Sequence, residues 1–145
     1  MLRMIAAAFC AIFVLSAANA QQEVEIKGQQ AKLLLNQAIS ATALSDLNNQ
    51  YQLRVSEGIF EPGGFIGPHH HAGPGIRCVK SGEFTITFTS DGKTTVYKAG
   101  ECWYEPGNVS HTGKNATDKQ VVIQNFEILP MSITGRSILP VPAAR

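Results

Sequence analysis

Gly63-Gly64-Phe65-Ile66-Gly67-Pro68-His69-His70-His71-Ala72-Gly73-Pro74-Gly75 and Gly100-Glu101-Cys102-Trp103-Tyr104-Glu105-Pro106-Gly107-Asn108-Val109-Ser110-His111 together hold all four histidines of a chain of 145 residues. Residues two apart on a β-strand face the same side, so His69 and His71 share a face and His70 points the other way. A third imidazole on a neighbouring strand, His111, completes one side of a metal ion. Neutral imidazole is a ligand for zinc, iron, copper and nickel alike. Taken alone, a Pro-His-His-His triplet reads equally well as a solvated turn. The second segment, with its own histidine, tips the reading towards a metal site.

Outward from these segments the chain reads as short strands between turns. Ala31 to Leu35 is an apolar run and the first expected strand. Ile39 to Asn49, rich in Ser, Thr, Asn and Ala, is a connecting segment. Tyr51 to Phe60 alternates as a strand and leads into an expected turn at Glu61-Pro62-Gly63-Gly64. Glu83 to Thr89 has a period of two, with Phe84, Ile86 and Phe88 on one face. Ser90-Asp91-Gly92-Lys93 forms a hairpin turn into Thr94 to Lys98. Val121 to Leu129 is a further strand. No internal repeat is present, so this is an all-β chain with one domain's worth of strands.

Residues 1–20 carry the pattern of a cleavable signal peptide: Arg3 near the start, an apolar run from Ile5 to Leu15, and Ala18-Asn19-Ala20 as a small-residue cleavage site. The run is shorter than the ~20 apolar residues of a membrane span. Cys10 lies within the run rather than after it, which argues against lipoprotein processing. The expectation is a periplasmic or secreted protein with no membrane attachment after cleavage. Its parts are an N-terminal strand and connector over 21–49, a barrel core over 50–129 and a C-terminal tail over 130–145. That tail either lies across the barrel or pairs with a second subunit. Twelve basic residues stand against eleven acidic ones. No basic stripe interleaved with aromatics is present, so nucleic acid is not an expected partner. Neither a phosphate-binding glycine loop nor a Ser-His-Asp arrangement is evident, which disfavours nucleotide and metal-independent hydrolase chemistry.

The two histidine segments resemble the paired motifs of the cupin superfamily, G-x5-H-x-H-x3,4-E-x6-G and G-x5-P-x-G-x2-H-x3-N. Gly63, His69, His71 and Gly82 fall on the first motif; Gly100, Pro106, His111 and Asn115 fall on the second. The resemblance covers roughly residues 50–127 and implies a single-domain jelly-roll β-barrel. Two positions depart from the pattern. Asn108 replaces a glycine, a mild change because Asn tolerates left-handed backbone. Gly75 stands where the family carries a metal-binding glutamate.

In a jelly roll, Gly75 to Ser81 runs antiparallel beside Glu101 to Glu105. Opposite residues of such a pair have a constant index sum and point to the same side of the sheet. Placing Cys78 opposite Cys102 puts Arg77 opposite Trp103 and Gly75 opposite Glu105. Glu105 then projects from beside the missing glutamate, as a relocated fourth ligand or a carboxylate behind the ligands. A solvated glutamate at the barrel rim is the alternative reading. The same register brings Cys78 and Cys102 within disulfide range on the face away from the metal, the alternative being two reduced cysteines packed as small hydrophobes. Arg77, on the inward side, requires an anion: Glu105 or the carboxylate of a bound ligand. Trp103 is expected to line the cavity or simply to belong to the core.

The resemblance implies a divalent transition metal (Fe, Zn, Mn, Ni or Cu) on His69, His71, His111 and Glu105, and a small-molecule ligand or substrate. Dimerisation is a further expectation from the family. Open positions on such an ion suit a dioxygenase acting on a small organic molecule. The same cage serves a Lewis-acid isomerase or decarboxylase. A non-catalytic metal- or small-molecule-binding module is the reading from a different class.

Overall fold

The computed structural model describes residues 23–38 and 45–141; the signal-peptide pattern and most of the connecting segment lie outside them. Nine strands follow one another: β1 (Ile26–Ala38), β2 (Tyr51–His71), β3 (Gly75–Ser81), β4 (Glu83–Phe88), β5 (Thr94–Lys98), β6 (Cys102–Glu105), β7 (His111–Lys114), β8 (Val121–Pro130) and β9 (Ile138–Pro140). A 3-10 turn at Ser45–Leu47 precedes β2. All pairings are antiparallel, and the sheet order is β5-β4-β7-β2-β8-β3-β6, with β1 and β9 also paired to β2.

The expected turn at Glu61 to Gly64 is instead a bend inside one continuous strand, β2. Before the bend, β2 pairs with β1 and β8; beyond it, β1 continues to Phe65 and Ile66 while β7 and β9 take the place of β8. Gly63 takes a φ of 72°, open to a residue without Cβ. At Gly64 a Cβ would sit 2.7 Å from the Gly28 carbonyl oxygen, so β1 can close on the bend only over a glycine. The strand thus changes partners without ending, and this turns one sheet into a jelly-roll barrel. Asn115 fixes the bend from the other side. It is fully buried, its Nδ2 donates to the carbonyls of Phe60, Glu61 and Lys119, and its Oδ1 accepts from Thr117.

Strand parity sorts the side chains. On β3, Gly75, Arg77 and Val79 face inward; on β6, Trp103 and Glu105 do so; on β8, Val121, Ile123, Glu127 and Leu129. The apolar end of the interior is built by Phe60, Ile66, Val79, Phe84, Ile86, Trp103, Val121 and Ile123. Trp103 stacks on Tyr97 at a centroid distance of 4.6 Å, and Phe60 meets Phe84 at 4.5 Å. The outer face of the same strands carries an apolar row across five of them, Leu35, Val55, Phe126, Ile76 and Tyr104, each the cross-strand partner of the next.

The C-terminal segment lies across the barrel. Gln52 Nε2 donates to the carbonyls of Pro130 and Ile133, Arg54 donates to those of Ile133 and Gly135, and β9 pairs with His69 to His71. On the outer face, Cys78 and Cys102 are directly opposed and joined by a disulfide. The bond closes a loop with a sequence separation of 24, for which the chain-entropy account gives about 3 kcal/mol. Replacing both cysteines by serine is therefore expected to lower the unfolding free energy by about 3 kcal/mol, read from denaturant melts in which the m-value rises as the unlinked unfolded chain expands. A double variant as stable as the parent would contradict this assignment.

Candidate metal centre

His69 and His71 end β2, and His111 opens β7 directly opposite His69. The nitrogen atoms that the three rings can offer a metal all lie within 4.8 Å of one another. His69 and His111 are almost fully buried, and His71 nearly so. His69 Nδ1 lies 2.8 Å from the Gly67 carbonyl oxygen, and His111 Nδ1 lies 3.0 Å from that of Val109. A carbonyl can only accept, so each Nδ1 donates and each Nε2 is the nitrogen left to face the cluster. His71 is backed differently. Its Nδ1 is 3.4 Å from Ser137 Oγ and 3.6 Å from Glu127 Oε1, while Ser137 donates to Glu127. His70 points away from the cluster, its backbone paired with Leu139.

The register expected from the sequence is the one observed: Gly75 opposite Glu105, Arg77 opposite Trp103, Cys78 opposite Cys102. Glu105 is buried. Its Oε1 is 3.2 Å from His111 Nε2 and accepts from Trp103 Nε1 at 2.8 Å; its Oε2 is 3.1 Å from His71 Nε2 and 2.9 Å from Arg77 Nε. The contact with Arg77 is short but off the line of the N–H, so Oε2 keeps an unsatisfied lone pair. Burial raises the pKa of this carboxyl, but hydrogen bonds from His111 and His71 and the charge of Arg77 outweigh it. Glu105 is held ionised, well below the usual carboxylate range.

Arg77 explains why residue 75 is glycine. Its guanidinium reaches back over β3, and a Cβ at Gly75 would lie 2.1 Å from Nη1 and 2.6 Å from the Phe126 carbonyl oxygen. The space a motif glutamate would use is thus filled by a cation. Arg77 is in turn bracketed by Glu105 on β6 and by Glu127 on β8, to which Nη2 donates at 3.0 Å. Across neighbouring strands the inward side chains run Arg54, Glu127, Arg77 above Gly75, and Glu105, alternating in charge. Gly75→Ala is expected to cost at least about 2 kcal/mol of stability through overpacking, measured by denaturant melts. A loss within about 0.5 kcal/mol, the range of ordinary surface changes, would mean the guanidinium is free to move.

The three rings and Glu105 open onto a cavity of about 290 Å³, which Trp103 lines. Its walls also include Glu127, Arg54, Ser137 and Asn125, which the sequence reading did not single out. Glu127 was traceable: it is the one charge on the inward parity of Val121 to Leu129. Arg54 was traceable in the same way on Tyr51 to Phe60. Ser137 carried no signal.

Burial, and then the nearby His111, push the pKa of His69 from 6.5 down to about 3, and burial lowers that of His71 as well. Both rings are therefore neutral when folded but take up protons near 6.5 when unfolded. Stability of the metal-free protein is present above 6.5 and lost as pH falls through the window towards 3. Denaturant melts of chelator-treated protein are expected to show this decline, by up to about 1.4 kcal/mol per pH unit for each group. A flat profile between pH 6.5 and 4.5 would contradict buried neutral histidines.

The cupin domain family model matches residues 56–128, half of the chain, and the chain belongs to the cupin superfamily as a small single-domain member. No curated protein matches it. Solved structures share its fold. A cupin domain from Bordetella pertussis Tohama I has a TM-score of 0.53 at 21% identity, covering 72% of this chain and 96% of its own. The polyketide cyclase RemF of Streptomyces resistomycificus reaches a TM-score of 0.60 at 15% identity, covering 83% and 75%. A cupin-like protein of Thermotoga maritima MSB8 has a TM-score of 0.54 at 20% identity, covering 74% and 75%. At these identities the likeness concerns the fold alone.

Proposed function

We propose that this cupin binds one divalent transition metal through His69, His71, His111 and Glu105, and uses it to act on a small organic molecule in the barrel cavity. One observation carries the reading. His111 Nε2, its other nitrogen being spent on Val109, faces an oxygen of the Glu105 carboxylate 3.2 Å away. Two such atoms call for a cation between them, a proton in the metal-free protein or a metal ion in its place. Glu105 stands beside two of the three rings, one oxygen 3.1 Å from His71 Nε2 and the other 3.2 Å from His111 Nε2, close enough to join them on an ion. Three neutral imidazoles and one carboxylate suit iron, zinc, manganese, nickel or copper.

With four protein ligands, a six-coordinate ion would keep two open positions, and iron there supplies dioxygenase chemistry. Oxidation by dioxygen is the reaction class we favour. The residues of the chain hold, orient and shield. Glu105 is too strongly held in its ionised form to serve as a ready proton carrier, which disfavours reactions that begin by proton abstraction. Phe60, Phe84 and Trp103 exclude water from the apolar end of the cavity. The Cys78–Cys102 disulfide supports a periplasmic or secreted location, where such bonds persist.

Metal analysis of untagged protein recovered without chelators is expected to show about one equivalent of transition metal per chain, lost in His69→Ala and His71→Ala. Glu105→Gln, which keeps an acceptor for Trp103 but removes the charge, is expected to weaken metal binding about 10- to 100-fold. Iron calls for oxygen-consumption assays with small organic substrates; zinc or nickel would redirect the proposal to Lewis-acid chemistry. Protein that neither contains nor takes up metal would refute the metal centre and leave a metal-free small-molecule module.

A further inference from the structure

The cavity is polar at the histidine end and apolar at the other, and the polar end holds a cation with no counter-ion. Arg54 is 6% exposed and lines the cavity. Its Nη1 donates to the Gly135 carbonyl at 2.6 Å and its Nη2 to that of Ile133, while its buried Nε has no partner. Among the described residues no carboxylate oxygen comes within 4.0 Å of it. Glu127 is its cross-strand neighbour, but Oε1 of that residue accepts from both Arg77 and Ser137. Glu105 is committed to Arg77, Trp103 and the histidines. Carbonyl dipoles solvate a guanidinium without neutralising it, and arginine cannot shed its proton when buried. A buried cation in this state is stabilised by an anion brought from outside.

We propose that the cavity takes a small carboxylate-bearing molecule, its carboxylate against the Arg54 guanidinium and its apolar body among Phe60, Phe84 and Ile86. Ser56 lies two residues along β2 on the same face, lines the same cavity and adds a hydroxyl beside Arg54. The Arg54 guanidinium and the Ser56 hydroxyl are donors that a planar carboxylate can accept from together. The volume of about 290 Å³ admits a compact ligand of this kind. The inference rests on the reading of the cavity as a small-molecule site and names its ligand class; it does not depend on the metal.

Benzoate and its neutral analogue benzamide are the probes. Titrated calorimetrically at neutral pH into the full chelator-treated chain, benzoate is expected to bind at least about tenfold more tightly than benzamide, the worth of one charge-assisted hydrogen bond. In nitrogen-15 spectra of the unaltered protein, the Arg54 Nε–H signal is expected to move on adding benzoate and to stay in place with benzamide. Arg54→Lys identifies that signal by its loss, and through-bond correlation identifies it if the variant does not fold. Equal affinity for the two probes, or an unmoved Arg54 signal, would overturn the proposal. So would the failure of benzoate to bind either the metal-free or the metal-loaded protein, even if the metal content is as expected. Benzoate binding by a protein that takes up no metal would refute the metal centre and leave this inference standing.

Discussion

Arg77 carries a permanent charge into the barrel interior, and most of what surrounds it follows from that charge. A buried guanidinium without partners would cost several kcal/mol. Here two carboxylates on the flanking strands bracket it, Glu105 at 2.9 Å and Glu127 at 3.0 Å. The guanidinium occupies the space over Gly75, so that position can carry no side chain. Glu105, drawn towards the cation by one oxygen, is fixed in the orientation that presents both oxygens to His71 and His111. A carboxylate stands on the strand beside Gly75, and the arginine holds it there.

The same electrostatics link the wall of the cavity to the histidines. Glu127 accepts from Arg77 and from Ser137, and Ser137 stands behind the Nδ1 of His71. One carboxylate therefore steadies both the cation that positions Glu105 and the ring that shares the cluster with it. The two arginines and the two glutamates of this wall sum to zero in formal charge, so a divalent ion added to the histidines would make this end of the barrel cationic. Electrostatic preference for an anionic ligand would then be a property of the whole wall and not of one side chain.

Much of this was legible in the sequence because it rests on parity and register. The spacing of His69, His71 and His111 places three rings on one side, and pairing Cys78 with Cys102 reproduces the alignment that brings Glu105 beside Gly75. The strand at Thr94–Lys98 falls where turn chemistry puts it, and that at Gly75–Ser81 where the resemblance to a jelly roll puts it. The bend of β2 was not legible, because Pro62, Gly63 and Gly64 interrupt the alternation and read locally as a turn. The pairing of β1 on both sides of them keeps the strand continuous. β1 runs well beyond its apolar centre because its polar flanks also pair with β2, which hydrophobic pattern alone does not reveal. Glu127 and Arg54 were passed over for a different reason. Each is an isolated charge in a strand, and Arg77, the partner that makes burial of Glu127 tolerable, lies 50 residues away in sequence.

The C-terminal strap gives the cavity an unusual place in the assembly of the molecule. The hairpin of β4 and β5 can form from neighbouring residues alone, but the wall over the histidines cannot. Arg54 meets Gly135 across 81 residues of sequence, and His71 meets Ser137 across 66. Contacts of such high order carry the largest loop-closure cost and reward the chain only after the rest of the barrel has formed. The wall over the histidines is thus among the least local parts of the fold. It belongs to the completed chain as a whole, so a truncation that spared every histidine would still leave the ligand chamber open on one side.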